Sequence, residues 1–197
     1  MRSVSSLYLE DVRTLLSSRV PRRDAPAGVP QAAVAVLVVP AADDVDLLLI
    51  RRAERASDPW SGHMALPGGR KDEDDRDLYC TVVREVHEEL GVTLDSSALL
   101  GELDDLRPAT APARVMVRPF VFALAQRPAL SLSEEVARVR WSASRELAAS
   151  MGTTEVYHHG LLRTMPCYRL GDDIVWGMTH RILEPLIDQL VRRQSSR

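Results

Sequence analysis

The sequence predicts an α+β domain, with helices packed on a sheet. Two apolar strands separated by one short turn, Gln31 to Val39 and Leu47 to Arg51, begin the sheet. Two amphipathic helices, Asp77 to Leu90 and Thr179 to Arg193, carry apolar stripes at helical spacing that need such a sheet to cover them. At 197 residues the chain suits one ordinary domain and is short for two. Its 45% hydrophobic and 27% charged residues can build a core, which excludes wholesale disorder.

In chain order, Leu9, Val12, Leu15 and Leu16 place a short helix over Tyr8 to Leu16. The prolines of Arg19 to Pro30 forbid a helix interior and mark a connector. Residues 1–30 therefore read as an N-terminal helix and Pro-rich connector ahead of a domain at 31–197. Gln31 to Val39 is too continuously apolar to keep a solvent face, so it reads as a strand covered on both sides until Pro40 stops it. Ala41 to Asp44 reads as a hairpin turn, which makes the strand at Leu47 to Arg51 antiparallel to the first. Ala53 to Asp75, with Asp-Pro, Ser-Gly and Pro-Gly-Gly, reads as a single long loop, a length that is more often functional than not. Leu78, Val82, Val83, Val86 and Leu90 give the next helix its apolar side, and Gly91 ends it. Further strands are expected at Ala98 to Leu103, Val115 to Ala125, Ala137 to Trp141, Tyr157 to His159 and Leu162 to Tyr168. A short helix is expected at Ser144 to Ala149, and in the last helix Ile182, Leu183, Leu186 and Leu190 should face inward.

A formal net charge of −3 argues against a protein that grips nucleic acid by bulk charge. An anionic ligand would need local attraction, from a metal ion or a few placed arginines. Of the 25 basic residues only Lys71 is lysine, and arginine suits bidentate phosphate contacts. Cys80 and Cys167 are too few for a disulfide framework, so a reducing compartment is the simpler expectation. No secretory leader is visible and no apolar run is long enough for a membrane span, so a cytoplasmic protein without a membrane partner is expected.

The helix at Asp77 to Leu90 also places Glu85, Glu88 and Glu89 at i, i+3 and i+4, on one side. Like charges at this spacing repel by roughly 0.2–0.5 kcal/mol per exposed pair. Arg84, four residues before Glu88, relieves part of that, and a hard divalent cation with oxygen ligands would relieve more. Gly68-Gly69 permits a close backbone approach to such a cation or to phosphate. A solvated acidic helix face would show the same three glutamates. The weight therefore falls on the wider pattern: Leu66-Pro-Gly-Gly69, fourteen intervening residues, then Arg84-Glu-Val-His-Glu-Glu-Leu-Gly-Val92.

That pattern resembles the Nudix hydrolases, whose second box half is matched at every defined position from Arg84 through Val92. The first half has one extra residue and Asp75 where a glutamate is expected. This variant is similar to the coenzyme A diphosphatase branch, reading here Pro67-Gly-Gly-Arg-Lys-Asp72-Glu-Asp-Asp75. Leu47-Leu-Leu-Ile-Arg51-Arg52-Ala53 and Ile174-Val-Trp176-Gly177-Met-Thr179-His-Arg181-Ile-Leu183 also look like segments of that branch. Its further arginine before Gly62 is missing, with Ser57 and Asp58 in that region.

The resemblance implies a Nudix-type α/β/α sandwich with a mixed central sheet and a metal-binding loop-helix-loop. It implies divalent-metal-dependent hydrolysis of a nucleoside diphosphate-linked small molecule by water attack on the diphosphate bridge. Coenzyme A or a derivative is the first expectation. The alternatives are ADP-ribose, NADH or another dinucleotide or nucleotide sugar, and, less favoured, a non-catalytic nucleotide-sensing domain. Mg²⁺ or Mn²⁺ would be held by Glu85, Glu88 and Glu89, with the Gly69 carbonyl and Asp75 as further candidates; Asp75 reads equally as a helix cap. Glu88, Glu89 or a distal carboxylate, Glu134 or Glu135, would take the proton of the attacking water. Arg84 would orient a glutamate by pairing with it, and Arg51, Arg52 and Arg70 would contact phosphate. His63 has no partner visible in the sequence, Trp176 is expected to pack the C-terminal helix, and a homodimer would be in keeping with similar proteins.

Overall fold

The computed structural model describes residues 4–24, 28–55, 61–108, 115–158 and 161–195. Ser57, Asp58 and His159 lie outside the described residues. The central sheet is built on β1 (Gln31–Pro40), which pairs antiparallel with β2 (Val45–Arg52) through Val38↔Leu47. On its other side β1 runs parallel to a later strand, Met116–Ala123, through Ala32↔Val117 to Val38↔Ala123, so the sheet is mixed.

The apolar run at β1 is buried on both faces because helices cover both. Val36, Val38, Leu47, Leu49 and Val121 point into one core, shared with α1 (Val4–Ser17) and a C-terminal helix, Gly177–Ser195. Ala33, Ala35, Leu37, Leu48, Ile50 and Phe122 point into the other, closed by α2 (Leu78–Leu90). Alternation along the pleat thus sorts one continuous hydrophobic sequence into two cores. The inward residues of α1, Tyr8, Val12, Leu15 and Leu16, are buried in the first core, so this helix shares its packing with the rest of the domain.

The long segment after β2 holds two short strands that the sequence does not announce, β3 (Met64–Ala65) and β4 (Gly68–Arg70). Two or three residues are too few to display a period. β3 pairs with β2, and β4 pairs with β1 at Ala32↔Arg70. After α2 come β5 (Leu99–Glu102), β6 (Met116–Ala123) and β7 (Val136–Ala143), then α3 (Ser144–Ala149). β5 extends the sheet beyond β6, and β7 pairs with β2.

A second, three-stranded sheet follows: β8 (Met151–His158), β9 (Leu161–Leu170) and β10 (Asp173–Trp176). The expected strand at Tyr157 to His159 is therefore the end of a longer one. Its apolar signal is weak because Met151, Thr153, Glu155 and Tyr157 all face solvent. α4 (Gly177–Ser195) completes the chain with Ile182, Leu183, Leu186 and Leu190 buried, as its stripe predicts. Among the described residues no helix is long and apolar enough to cross a membrane.

Two buried carboxylates tie segments together. Asp44 sits in the β1–β2 turn. Its Oδ1 accepts from the Val45 N–H at 2.7 Å, the Ser144 hydroxyl and Gln194 Nε2 at 2.9 Å, and its Oδ2 accepts from the Arg145 N–H at 2.9 Å. Asp105 receives Arg118 in a fork, Nε to Oδ1 at 2.8 Å and Nη2 to Oδ2 at 3.0 Å, and the Asp24 N–H at 3.0 Å.

Burial, the largest single influence, would raise the Asp105 pKa, but the hydrogen bonds from Arg118 and the Asp24 N–H and the charges of Arg118 and Arg23 together hold it below the ordinary 3.8. A folded-state pKa below the unfolded one adds stability that is complete above pH 3.8 and is lost as pH falls through the folded value. Asp105→Ala is expected to cost about 3 kcal/mol at pH 7, because it leaves the half-buried Arg118 with only the longer contact to Glu102 at 3.8 Å. In urea melts the gap to wild type should narrow only below pH 3.8; a gap equally wide at pH 2.5 would disprove the assignment.

Candidate active site

α2 places the three glutamates. Asp77 caps its start, accepting from the Cys80 N–H at 2.8 Å, and Gly91 ends it in the left-handed conformation, its N–H donating to the His87 carbonyl at 2.8 Å. Leu78, Val82, Val86 and Leu90 are buried against the sheet, which rolls the adjacent face toward β4. Glu89 is only 3% exposed and Glu85 is half-buried, whereas Glu88 stands out in solvent.

β4 is shaped to receive them. Gly68 adopts φ 141°, and a Cβ there would lie 2.2 Å from the Ala33 carbonyl oxygen, so only glycine fits. Its N–H donates to Glu89 Oε2 at 2.8 Å. At Gly69 a Cβ would meet the Glu85 carboxylate at 2.3–2.5 Å; that carboxylate rests on bare backbone. Burial pushes the Glu89 pKa up to about 7 against the opposing Gly68 hydrogen bond, and burial likewise raises Glu85 despite its neighbour Arg84.

Arg84 is the hub. It forks onto Asp75, Nε to Oδ1 at 3.1 Å and Nη2 to Oδ2 at 2.8 Å, while Nη1 reaches Glu85 Oε1 at 3.0 Å and Glu88 Oε2 at 2.9 Å. Its Nη2 also donates to the Arg70 carbonyl at 3.1 Å, fastening α2 to β4. The Arg84 guanidinium holds the Asp75 carboxyl well below the usual carboxylate range, and Asp75 in turn raises the Arg84 pKa. Arg84 thus pairs with Glu85 and Glu88 together.

Several expectations need correction. Asp75 was a candidate metal ligand or helix cap; its oxygens instead face Arg84 and the Asp72 N–H, and the cap is Asp77. Arg51 was a candidate for phosphate, but its guanidinium lies 3.7 Å from both Asp173 and Glu54 and does not line the cleft described below. Of the adjacent glutamates opening β7, Glu135 faces the cleft, held by Arg55 Nη1 at 2.9 Å, and Glu134 does not. Neighbouring residues at a turn carry no signal of which one points inward, so sequence could not choose. His63 and Trp176 pack ring to ring, centroids 5.1 Å apart and planes tilted 60°, in the cleft wall, rather than Trp176 simply supporting α4.

The cleft encloses about 460 Å³. Glu85, Glu89, Glu135, Arg52 and Arg70 line one end over Gly68 and Gly69; Trp176, Met178, Arg181 and Pro108 line another part. Among the described residues no three carboxylate, imidazole or thiol groups stand close enough to form a ready-made metal cage. The donor chemistry nevertheless fits a hard divalent cation. The candidate ligands are oxygen atoms only, Glu85 rests where a Cβ would exclude it, and Arg84 already balances positive charge against that cluster.

Fold and site define a class: an α/β/α sandwich that turns a carboxylate-bearing helix toward a glycine strand at one end of a cleft. The chain belongs to the Nudix hydrolase family, the NUDIX domain matching residues 29–160. It is 32% identical over 174 residues to the mitochondrial coenzyme A diphosphatase NUDT8 of Homo sapiens, covering 85% of this chain and 70% of that one. A 102-residue stretch is 39% identical to the uncharacterized protein C14C4.10c of Schizosaccharomyces pombe, covering 48% of this chain and only 31% of that protein. The fold is similar to that of a MutT/nudix family protein from Enterococcus faecalis, with a TM-score of 0.57 and 20% identity over 98% of this chain and 73% of that one.

Proposed function

We propose that this Nudix hydrolase cleaves the diphosphate bridge of coenzyme A or its derivatives, with Mg²⁺ or Mn²⁺ bound at α2. The observation that carries the reading is the meeting of Glu85 and Glu89 with Arg52 and Arg70 at one end of a single cleft. The human relative and the flanking segments around Arg51 and Trp176 support coenzyme A over other nucleoside diphosphates. Two unpaired cysteines, Cys80 and Cys167, suit the proposed cytoplasmic residence.

A diphosphate carries dense negative charge, so in-line displacement needs that charge neutralised and a water deprotonated. Glu85, Glu88 and Glu89, with the Gly69 carbonyl, would hold the cation, which when bound supplies charge neutralisation and a more acidic water. Arg52 and Arg70 contact the phosphate oxygens from the cleft wall. Glu135, facing the same space from the start of β7, accepts the water's proton. The water oxygen bonds to phosphorus, the bridging P–O bond breaks, and the bridging oxygen leaves with the second phosphate.

Incubation with Mg²⁺ or Mn²⁺ and a panel of coenzyme A, ADP-ribose, NADH and nucleoside triphosphates tests the reading. The expected products are 3′,5′-ADP and 4′-phosphopantetheine from coenzyme A. Turnover of another panel member with none of coenzyme A would reject it.

A further inference from the structure

Away from Arg52 and Arg70 at the carboxylate end of the cleft, most nearby arginines are engaged by carboxylates. Arg19 and Arg22 pair with Asp104, Arg107 with Asp24 at 2.8 Å, Arg118 with Asp105 and Arg138 with Asp173. Arg181, in the first turns of α4, is an exception. Its Nη1 donates to the Arg107 carbonyl at 2.7 Å, and it has no carboxylate partner among the described residues. A second, more open depression lies alongside the cleft, and the residues common to both are Arg181 and Ile182. In that depression Asp104 pairs with Arg19 and Arg22, Asp24 with Arg107, and Asp105 with Arg23 and Arg118, while Glu184 lies against His180; among the described residues lining it, Arg181 is the arginine without an ion pair.

Arg181 is also remote from the carboxylates in the sheet frame. Arg70, Ala32, Val117 and Leu106 are successive register partners across β4, β1, β6 and the segment before β6. Three interstrand steps of about 4.8 Å separate Leu106, next to the Arg107 anchor, from Arg70 by about 14 Å. The wall between them is apolar, with Val117, Met178 and Ile182. A diphosphate seated against Glu85, Glu89 and Arg70 therefore leaves Arg181 without a ligand group.

We propose that Arg181 binds a second anionic group of the ligand, a phosphate monoester separate from the diphosphate bridge. This rests on the coenzyme A reading, in which the ribose 3′-phosphate is that group. The guanidinium keeps Nε and Nη2 donors beyond the bond to Arg107, a fork that matches two phosphate oxygens. ADP-ribose and NADH carry no such monoester, so the same residue selects against them.

Calorimetry of the full-length protein with 3′,5′-ADP and with 5′-AMP tests the site. Wild type should prefer 3′,5′-ADP by about ten- to hundredfold, the range of a charged hydrogen-bond pair. Arg181→Gln should bring that ratio to near one, while Arg181→Lys keeps part of it and Arg70→Gln keeps most. A ratio taken within one variant is insensitive to any loss of folded protein. An unchanged ratio in Arg181→Gln, or no preference in wild type, overturns the proposal. The substrate reading fails differently, through absence of coenzyme A turnover with Mg²⁺. Joined to an Arg181-dependent ratio, that result leaves the phosphate site standing; joined to none, it overturns both.

Discussion

Glu89→Gln is expected to lower turnover by about a hundredfold or more while the protein melts at or above the wild-type temperature. The two halves of this expectation come from one fact, the near-complete burial of a carboxylate that takes a single backbone hydrogen bond from Gly68 at 2.8 Å. A glutamine oxygen accepts the same bond, and a neutral amide is easier to bury than a charge. Catalytically the exchange removes a hard anionic oxygen from the cation site. Loss of outer partners of metal ligands already costs about 10–100-fold, so loss of a ligand should exceed that. Thermal melts beside turnover at saturating Mg²⁺ read both halves. Near-normal turnover in a folded variant would move the cation site away from α2.

Gly68→Ala should act in the opposite way, on stability. The new Cβ would fall 2.2 Å from the Ala33 carbonyl oxygen and 2.6 Å from Val34 Cα, at φ 141°. Both contacts are backbone of β1, which is paired on each side and cannot shift alone. A loss of about 3 kcal/mol is expected from strain and overpacking, lowering the melting temperature by about 6–12 °C. Gly69→Ala is the contrasting arm. Its Cβ meets the end of the Glu85 side chain, which can swing away, so activity should fall with little change in melting. Equal melting of wild type and Gly68→Ala would show that β4 is not held against β1 as described.

The parts of the fold that could be read from the residues are those with a long period. Val82, Val86 and Leu90 set α2, and the continuous run at β1 implied cover on both faces, which two separate cores provide. β3 and β4 were hidden because two- and three-residue strands have no period. β8 was largely hidden because its exposed side chains blur any alternation. The carboxylate cluster was legible from spacing on one helix. What joins it was not: the Arg84–Asp75 fork spans nine residues and a turn, and the choice of Glu135 over Glu134 depends on a local backbone direction. Arg181 and the His63–Trp176 contact unite segments more than 100 residues apart with the cleft, a proximity that only the folded topology creates.

The Asp44 clip has an evolutionary consequence. One carboxylate serves a hydroxyl at Ser144 and an amide at Gln194, 100 and 150 residues away along the chain. Changing one member strands buried polar atoms on the others, whereas a joint exchange that keeps an acceptor at position 44 for the Val45 and Arg145 N–H groups would be tolerated. Positions 44, 144 and 194 should therefore drift as a set across descendants of this sequence, kept together or exchanged together.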